Sequence, residues 1–134
     1  MSIFVEEGDL VDVVVNYVEE NDKIIISDEK SDLSKSIKMV FKRPDFSASQ
    51  RLIASCTTPD AGGNPSINLM MLQNNLIYFL SKSWDVKTPE SKTPEGTSVG
   101  GKPVELNAEN IGKLRIEIAR AIVNRLVEKV GQII

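Results

Sequence analysis

The sequence predicts an α+β fold, with a small N-terminal antiparallel β-region of about three strands followed by three helices. Two observations predict it. β-Branched residues alternate with polar ones through the first third of the chain, and apolar residues recur at helical spacing, with capping signals, beyond Pro44. The 134 residues suit a single domain, because a chain of this length buries roughly two-thirds of its unfolded surface and can hold a core without metals or disulfides.

Val11, Val13, Val15 and Tyr17 alternate with Asp12, Val14 and Asn16, and branching at Cβ favours extended backbone. Glu19-Glu20-Asn21-Asp22 reads as a polar four-residue loop before Lys23-Ile24-Ile25-Ile26-Ser27, which makes the two runs a hairpin. After a charge-mixed loop from Asp28 to Lys35, Ile37, Met39 and Phe41 alternate with Lys38, Val40 and Lys42, a strand with one wet face. Residues 1–43 are thus mainly β, and residues 44–84 are expected to be helical. Ser47-Ala48-Ser49-Gln50 has the spacing of a capping box, opening a short helix through Cys56 that ends before Pro59. A turn region over 57–63 follows, and Asn64-Pro65 signals the start of a helix that runs through Trp84. Residues 85–103 are apolar-poor and repeat Lys-Thr-Pro-Glu at 87–90 and 92–95; such a segment buries too little to offset its ordering entropy, so a mobile loop is expected. Asn107 caps a last helix, from about Ala108, that fills most of the segment 104–134.

Composition narrows the chemistry. Sixteen Lys and Arg against nineteen Asp and Glu leave a net charge of −3 with no basic block, which argues against nucleic-acid binding because phosphate neutralisation supplies most of that affinity. Lys38, Lys42 and Arg43 cluster loosely and read as a solvated strand face. There is no histidine, which removes the commonest general base and metal ligand and excludes Ser–His and Cys–His catalysis. Cys56 is the only cysteine, so no internal disulfide or multi-cysteine metal site forms; it reads as a small hydrophobe of a reducing compartment. The N-terminal apolar stretch carries Glu6, Glu7, Asp9 and Asp12 and lacks a cationic start, unlike a signal peptide. No apolar run approaches the roughly 20 residues of a spanning helix.

Candidate chemical motifs fail on inspection. Gly96-Thr97-Ser98-Val99-Gly100-Gly101-Lys102-Pro103 matches a phosphate loop up to its last position, where proline offers neither the metal-binding hydroxyl nor an N–H. No strand precedes it either. The pairs Glu6-Glu7, Glu19-Glu20 and Asp28-Glu29 sit beside turns, where carboxylates are ordinarily solvated, and Asp60-Ala61-Gly62-Gly63-Asn64 lacks calcium-ligand spacing. No catalytic residue, cofactor or metal is expected.

The two long helices say more. At about 100° per residue, the last helix has one narrow polar strip, Lys113, Glu117, Arg120, Asn124 and Glu128. Ile111, Leu114, Ile116, Ile118, Ala119, Ile122, Val123, Leu126, Val127 and Val130 spread around most of the rest, interrupted by Arg115, Arg125 and Lys129 at the margins. The helix over 66–84 repeats the anomaly, with Leu69, Met70, Met71, Leu72, Leu76, Ile77, Tyr78, Phe79, Leu80 and Trp84 facing nearly everywhere except the line Asn68, Asn75 and Lys82. A surface helix normally shows a narrower apolar stripe. Either the strands and short helix cover both, or apolar surface is left for a partner protein or another copy of the chain. On the second alternative Met70, Met71, Ile77, Ile118, Ile122, Leu126 and Val130 form the partner-binding face, adjacent methionines being adaptable in contact.

Val40-Phe41-Lys42-Arg43-Pro44-Asp45-Phe46 leading into a capped helix, a Gly/Asp loop, a helix ending at Ser83-Trp84-Asp85, a polar Gly/Pro loop and a final helix resembles the small tail and baseplate assembly chaperones of tailed bacteriophages. The resemblance covers residues 36–134 in outline and rests on spacing together with Phe41, Pro44 and Trp84; the N-terminal hairpin departs from it. It implies a compact, acidic, non-enzymatic protein of the host cytoplasm. Such a protein shields a client such as the tape measure protein or a baseplate hub component. The alternative is a structural tail, baseplate or neck subunit retained in the virion.

Overall fold

Val11, Val13 and Val15 lie on one face of a single strand and are almost wholly buried, while Asp12 and Val14 between them face water. That alternation sets the architecture. In the computed structural model, residues 3–88, 91–92, 94–96, 98–99 and 101–131 are described. Among them the elements run β1 (Leu10–Glu20), β2 (Lys23–Ser27), β3 (Lys35–Lys42), α1 (Phe46–Ser55), β4 (Thr57–Pro59), β5 (Pro65–Ile67), α2 (Leu69–Leu80), β6 (Ser81–Trp84), β7 (Ser91–Lys92), β8 (Ser98–Val99), α3 (Ala108–Gly112) and α4 (Ile116–Val130). The fold class is α+β. An antiparallel sheet of order β2-β1-β3-β6 carries the helices on one face.

Met39 and Phe41 of β3 join the three valines in the core, as the strand alternation predicts. Leu72, Leu76, Ile77 and Leu80 of α2 and Ile118, Ile122, Val123 and Leu126 of α4 close over them. The exposed strip of α4, Glu117, Arg120, Asn124 and Glu128, is the polar strip read from the sequence. The three interrupting cations reach from α4 to backbone carbonyls of the sheet: Arg115 to Asp22 at 2.8 Å, Arg125 to Ser27 at 3.4 Å, and Lys129 to Asp12. Their apolar stems lie along the helix while each head satisfies an oxygen of the β1–β2 hairpin.

Several boundaries differ from expectation, each for a local reason. The hairpin turn is two residues, not four: Asn21 and Asp22 both take positive φ, 52° and 61°, the geometry whose twist matches the flanking strands, and Glu20 pairs with Lys23. Asp45, not Ser47, caps α1, its carboxylate accepting from the Ala48 amide at 2.7 Å. Asn64-Pro65 does not start a helix. Asp60 Oδ1 accepts from the amides of Gly62 and Asn64, which turns the chain so that β5 pairs with β4, and Asn68 caps α2 instead. Residues 44–84 are therefore not wholly helical.

α2 stops at Leu80 rather than Trp84. The open edge of β3 takes up Ser81–Trp84 as a fourth strand, with Met39 opposite Trp84. The last helix is broken: α3 ends at Gly112, and Arg115 is extended (ψ 143°) before α4 begins. α4 ends at Gly131, whose φ of 76° and ψ of −151° define a conformation open to glycine almost alone. The end of the segment 104–134, at 132–134, lies outside the described residues. So does part of 85–103, read as a mobile loop. Its described backbone holds the β7–β8 pairing and the Lys87–Pro103 bridge, and Trp84 Nε1 donates to the Val104 carbonyl at 2.7 Å.

Leu126 is fully enclosed, so Leu126→Ala should cost about 2–5 kcal/mol through lost transfer energy and the cavity left behind. Met70→Ala, at a position 75% exposed, should stay within about 0.5 kcal/mol. Urea denaturation followed by circular dichroism measures both.

Candidate partner-binding groove

The break before Arg115 lets α3 and the start of α4 diverge from α2. Asn107 fixes the first side of that opening, its side chain accepting from the Asn110 amide at 2.8 Å while Asn110 Nδ2 donates to the Glu105 carbonyl. The result is a groove of ≈ 320 Å³ lined by Asn74, Ile77 and Tyr78 of α2, Ile111 and Gly112 of α3, Leu114, and Ile116, Ala119, Arg120 and Val123 of α4. The α4 contributors recur at i, i+3, i+4 and i+7, one continuous helix face. Gly112 adds no side chain to the lining, and a Cβ there would only touch the Tyr78 hydroxyl, at 3.6 Å.

The rim is apolar and wet. Tyr78 is 45% and Ile116 62% exposed, and Met70, Met71 and Phe79 extend the apolar exposure along α2. Each large apolar side chain gains about 1.5–3 kcal/mol when fully buried, so covering the exposed parts of these five yields about 5 kcal/mol from this side. Association itself costs about 4–15 kcal/mol. Tight binding therefore requires a partner that buries an apolar face of its own.

The structure divides the seven residues expected at a partner-binding face. Met70 and Met71 are at the surface, and Ile77 lines the groove floor although it is itself buried. Ile118, Ile122 and Leu126 are core residues, and Val130 is half-buried against that core. The α4 half of the expected face is thus corrected. The β1–β2 hairpin and α2 between them cover the wide apolar arc of α4, so its width reflects coverage from two sides within one chain. The α4 residues that line the groove lie about a quarter of a turn away, at Ile116, Ala119 and Val123, of which Val123 is itself buried. These belong to the same apolar inventory in the sequence, but only the direction of the sheet separates the two faces.

The motifs set aside in the sequence are occupied structurally. Lys35 pairs with Glu19 at 3.5 Å and Arg125 with Asp28 at 3.4 Å. In the Gly96–Pro103 string, part of which lies outside the described residues, the Lys102 carbonyl accepts from the Thr88 amide and the Lys102 amide donates to Thr88 Oγ1. Among the described residues no group of three or more Cys, Asp or Glu is arranged to hold a metal, and no helix is long and apolar enough to cross a membrane. No family model, curated protein or solved structure matches the chain.

Cys56 is fully buried, and its Sγ accepts from Asn75 Nδ2 at 3.5 Å. Folded protein should react with Ellman's reagent far more slowly than protein in denaturing urea, because modification requires opening of the α1–α2 contact. A rate that is unchanged by urea through the unfolding transition contradicts this placement.

Proposed function

We propose that the chain is a non-enzymatic assembly chaperone that receives an apolar helix of a client protein in the groove between α2 and α4. The carrying observation is that the exposed side chains of Tyr78 and Ile116 line that groove, with Met70 and Met71 also exposed on α2. An amphipathic helix laid into such a groove meets it through residues at i, i+3 or i+4, and i+7. The formal charge of −3 keeps the unloaded protein from self-precipitation. The resemblance to phage tail and baseplate chaperones in the order of β-region, capped helix, tryptophan-terminated segment and final helix supports a tape measure protein or baseplate hub component as the client.

A second reading, a tail, baseplate or neck subunit that stays in the virion, draws support from a different observation. Apolar exposure also occurs away from the groove, at Val14 and Ile25 on the uncovered sheet face and at Ile3 and Phe4. Neighbours on several sides suit a permanent structural position. Mass spectrometry of purified virions separates the two, since a chaperone is absent from mature particles.

Replacing Tyr78 and Ile116 together by Asp should leave the circular dichroism spectrum and melting temperature nearly unchanged and abolish co-purification of the client with its solubility. Retained co-purification with the fold intact would place the client elsewhere. If light scattering shows the wild type as a dimer that the same double substitution converts to monomer, the groove serves a second copy instead.

A further inference from the structure

A second groove of ≈ 390 Å³ lies on the other flank of α4, between that helix and the open edge strand β2. Its floor is Ile24, Ile26 and Ala121. In a hairpin closed by a two-residue turn, Glu20 and Lys23 exchange both backbone bonds, and the bonded pairs then alternate. The N–H and C=O groups of Ile24 and Ile26 therefore point away from β1, outward along the sheet edge, directly beside the groove. An extended segment pairing with them sends every second side chain toward α4.

The charges at the rim select the segment. Asp28 is paired with Arg125 and Glu117 with Arg115. Arg120 and Glu128 also line the groove and have no partner among the described residues. They stand eight residues apart on α4, about 12 Å along its axis. Alternate residues i and i+4 of a strand span about 13 Å on one face. α4 runs in the same direction as β2, since Arg115 meets Asp22 and Arg125 meets Ser27.

We infer that β2 and α4 form a strand-addition site for an extended peptide of a partner protein, antiparallel to β2, with the pattern basic–x–apolar–x–acidic. The basic residue faces Glu128, the apolar one enters above Ile24, Ile26 and Ala121, and the acidic one faces Arg120. Backbone pairing supplies affinity and the alternate side chains supply specificity. Lys23 at the start of β2 and the shortness of that strand discourage pairing of two copies along this edge without blocking a single peptide. This site shares only Arg120 with the client groove and does not depend on the function proposed above.

The test is selection of a displayed library of random peptides on the full-length chain, followed by fluorescence anisotropy of the enriched peptides. Peptides with the basic–x–apolar–x–acidic pattern should be enriched. Glu128→Arg should weaken them about tenfold, and a peptide with acid in place of the basic residue should recover binding to that variant. Ile26→Pro should abolish binding, because proline removes an outward N–H while leaving the β1 ladder intact; where Ile26→Pro disturbs the fold, Glu128→Arg on the surface still decides. Tyr78→Asp, in the other groove, should change nothing. Lack of enrichment overturns the inference, as does enrichment of peptides insensitive to Glu128→Arg or dependent on Tyr78.

Discussion

The contact of α4 with the β1–β2 face of the sheet is the constraint on which everything else depends. Val11, Val13, Val15, Met39 and Phe41 present one apolar surface, and Ile118, Ile122 and Leu126 cover it. Apolar burial is directionless, so it does not by itself choose how the helix lies. Arg115, Arg125 and Lys129 make that choice by reaching hairpin carbonyls at both ends and in the middle of α4. Each bond is individually modest, about 1 kcal/mol, but together they admit one orientation. The two grooves are the flanks of the helix so placed.

α4 is thereby a ridge with different chemistry on either side. Toward α2 it offers Ile116, Ala119 and Val123 and asks for a helix with an apolar face. Toward β2 it offers Ala121 and two charges, Arg120 and Glu128, that have no partner among the described residues, beside open backbone. Arg120 stands on the crest and lines both. The proposed client helix and the proposed peptide would lie on opposite flanks of one helix and meet only at Arg120.

The strands were legible because period-two alternation is decided by local sequence: Val11–Val15 and Ile37–Phe41 have the same faces in the structure as in the pattern. The polar strip of α4 was legible for the same reason at period 3.6. What the pattern lacked was anything non-local. Ser81–Trp84 is a strand only because β3 has an edge to satisfy some forty positions earlier, as the Asp12–Val40–Ser83 row illustrates. Ser81-Lys82-Ser83-Trp84 continues a helical apolar repeat well enough to conceal that. The width of the apolar arc on α4 was likewise ambiguous, since a helix covered from two sides and a helix awaiting a partner have the same composition. Gly112, Tyr78 and Ile116 become a groove only when α3 turns away before Arg115.

Trp84 ends the fourth strand and its indole N–H holds the Val104 carbonyl, tying the base of the intervening arm to the sheet. It is the single tryptophan of the chain. The one indole of the chain therefore stands at the junction between sheet and arm, remote from the Ile24 edge and outside the α2–α4 groove lining. Emission excited on the red side of tyrosine absorption reports whether that junction is latched, without a label.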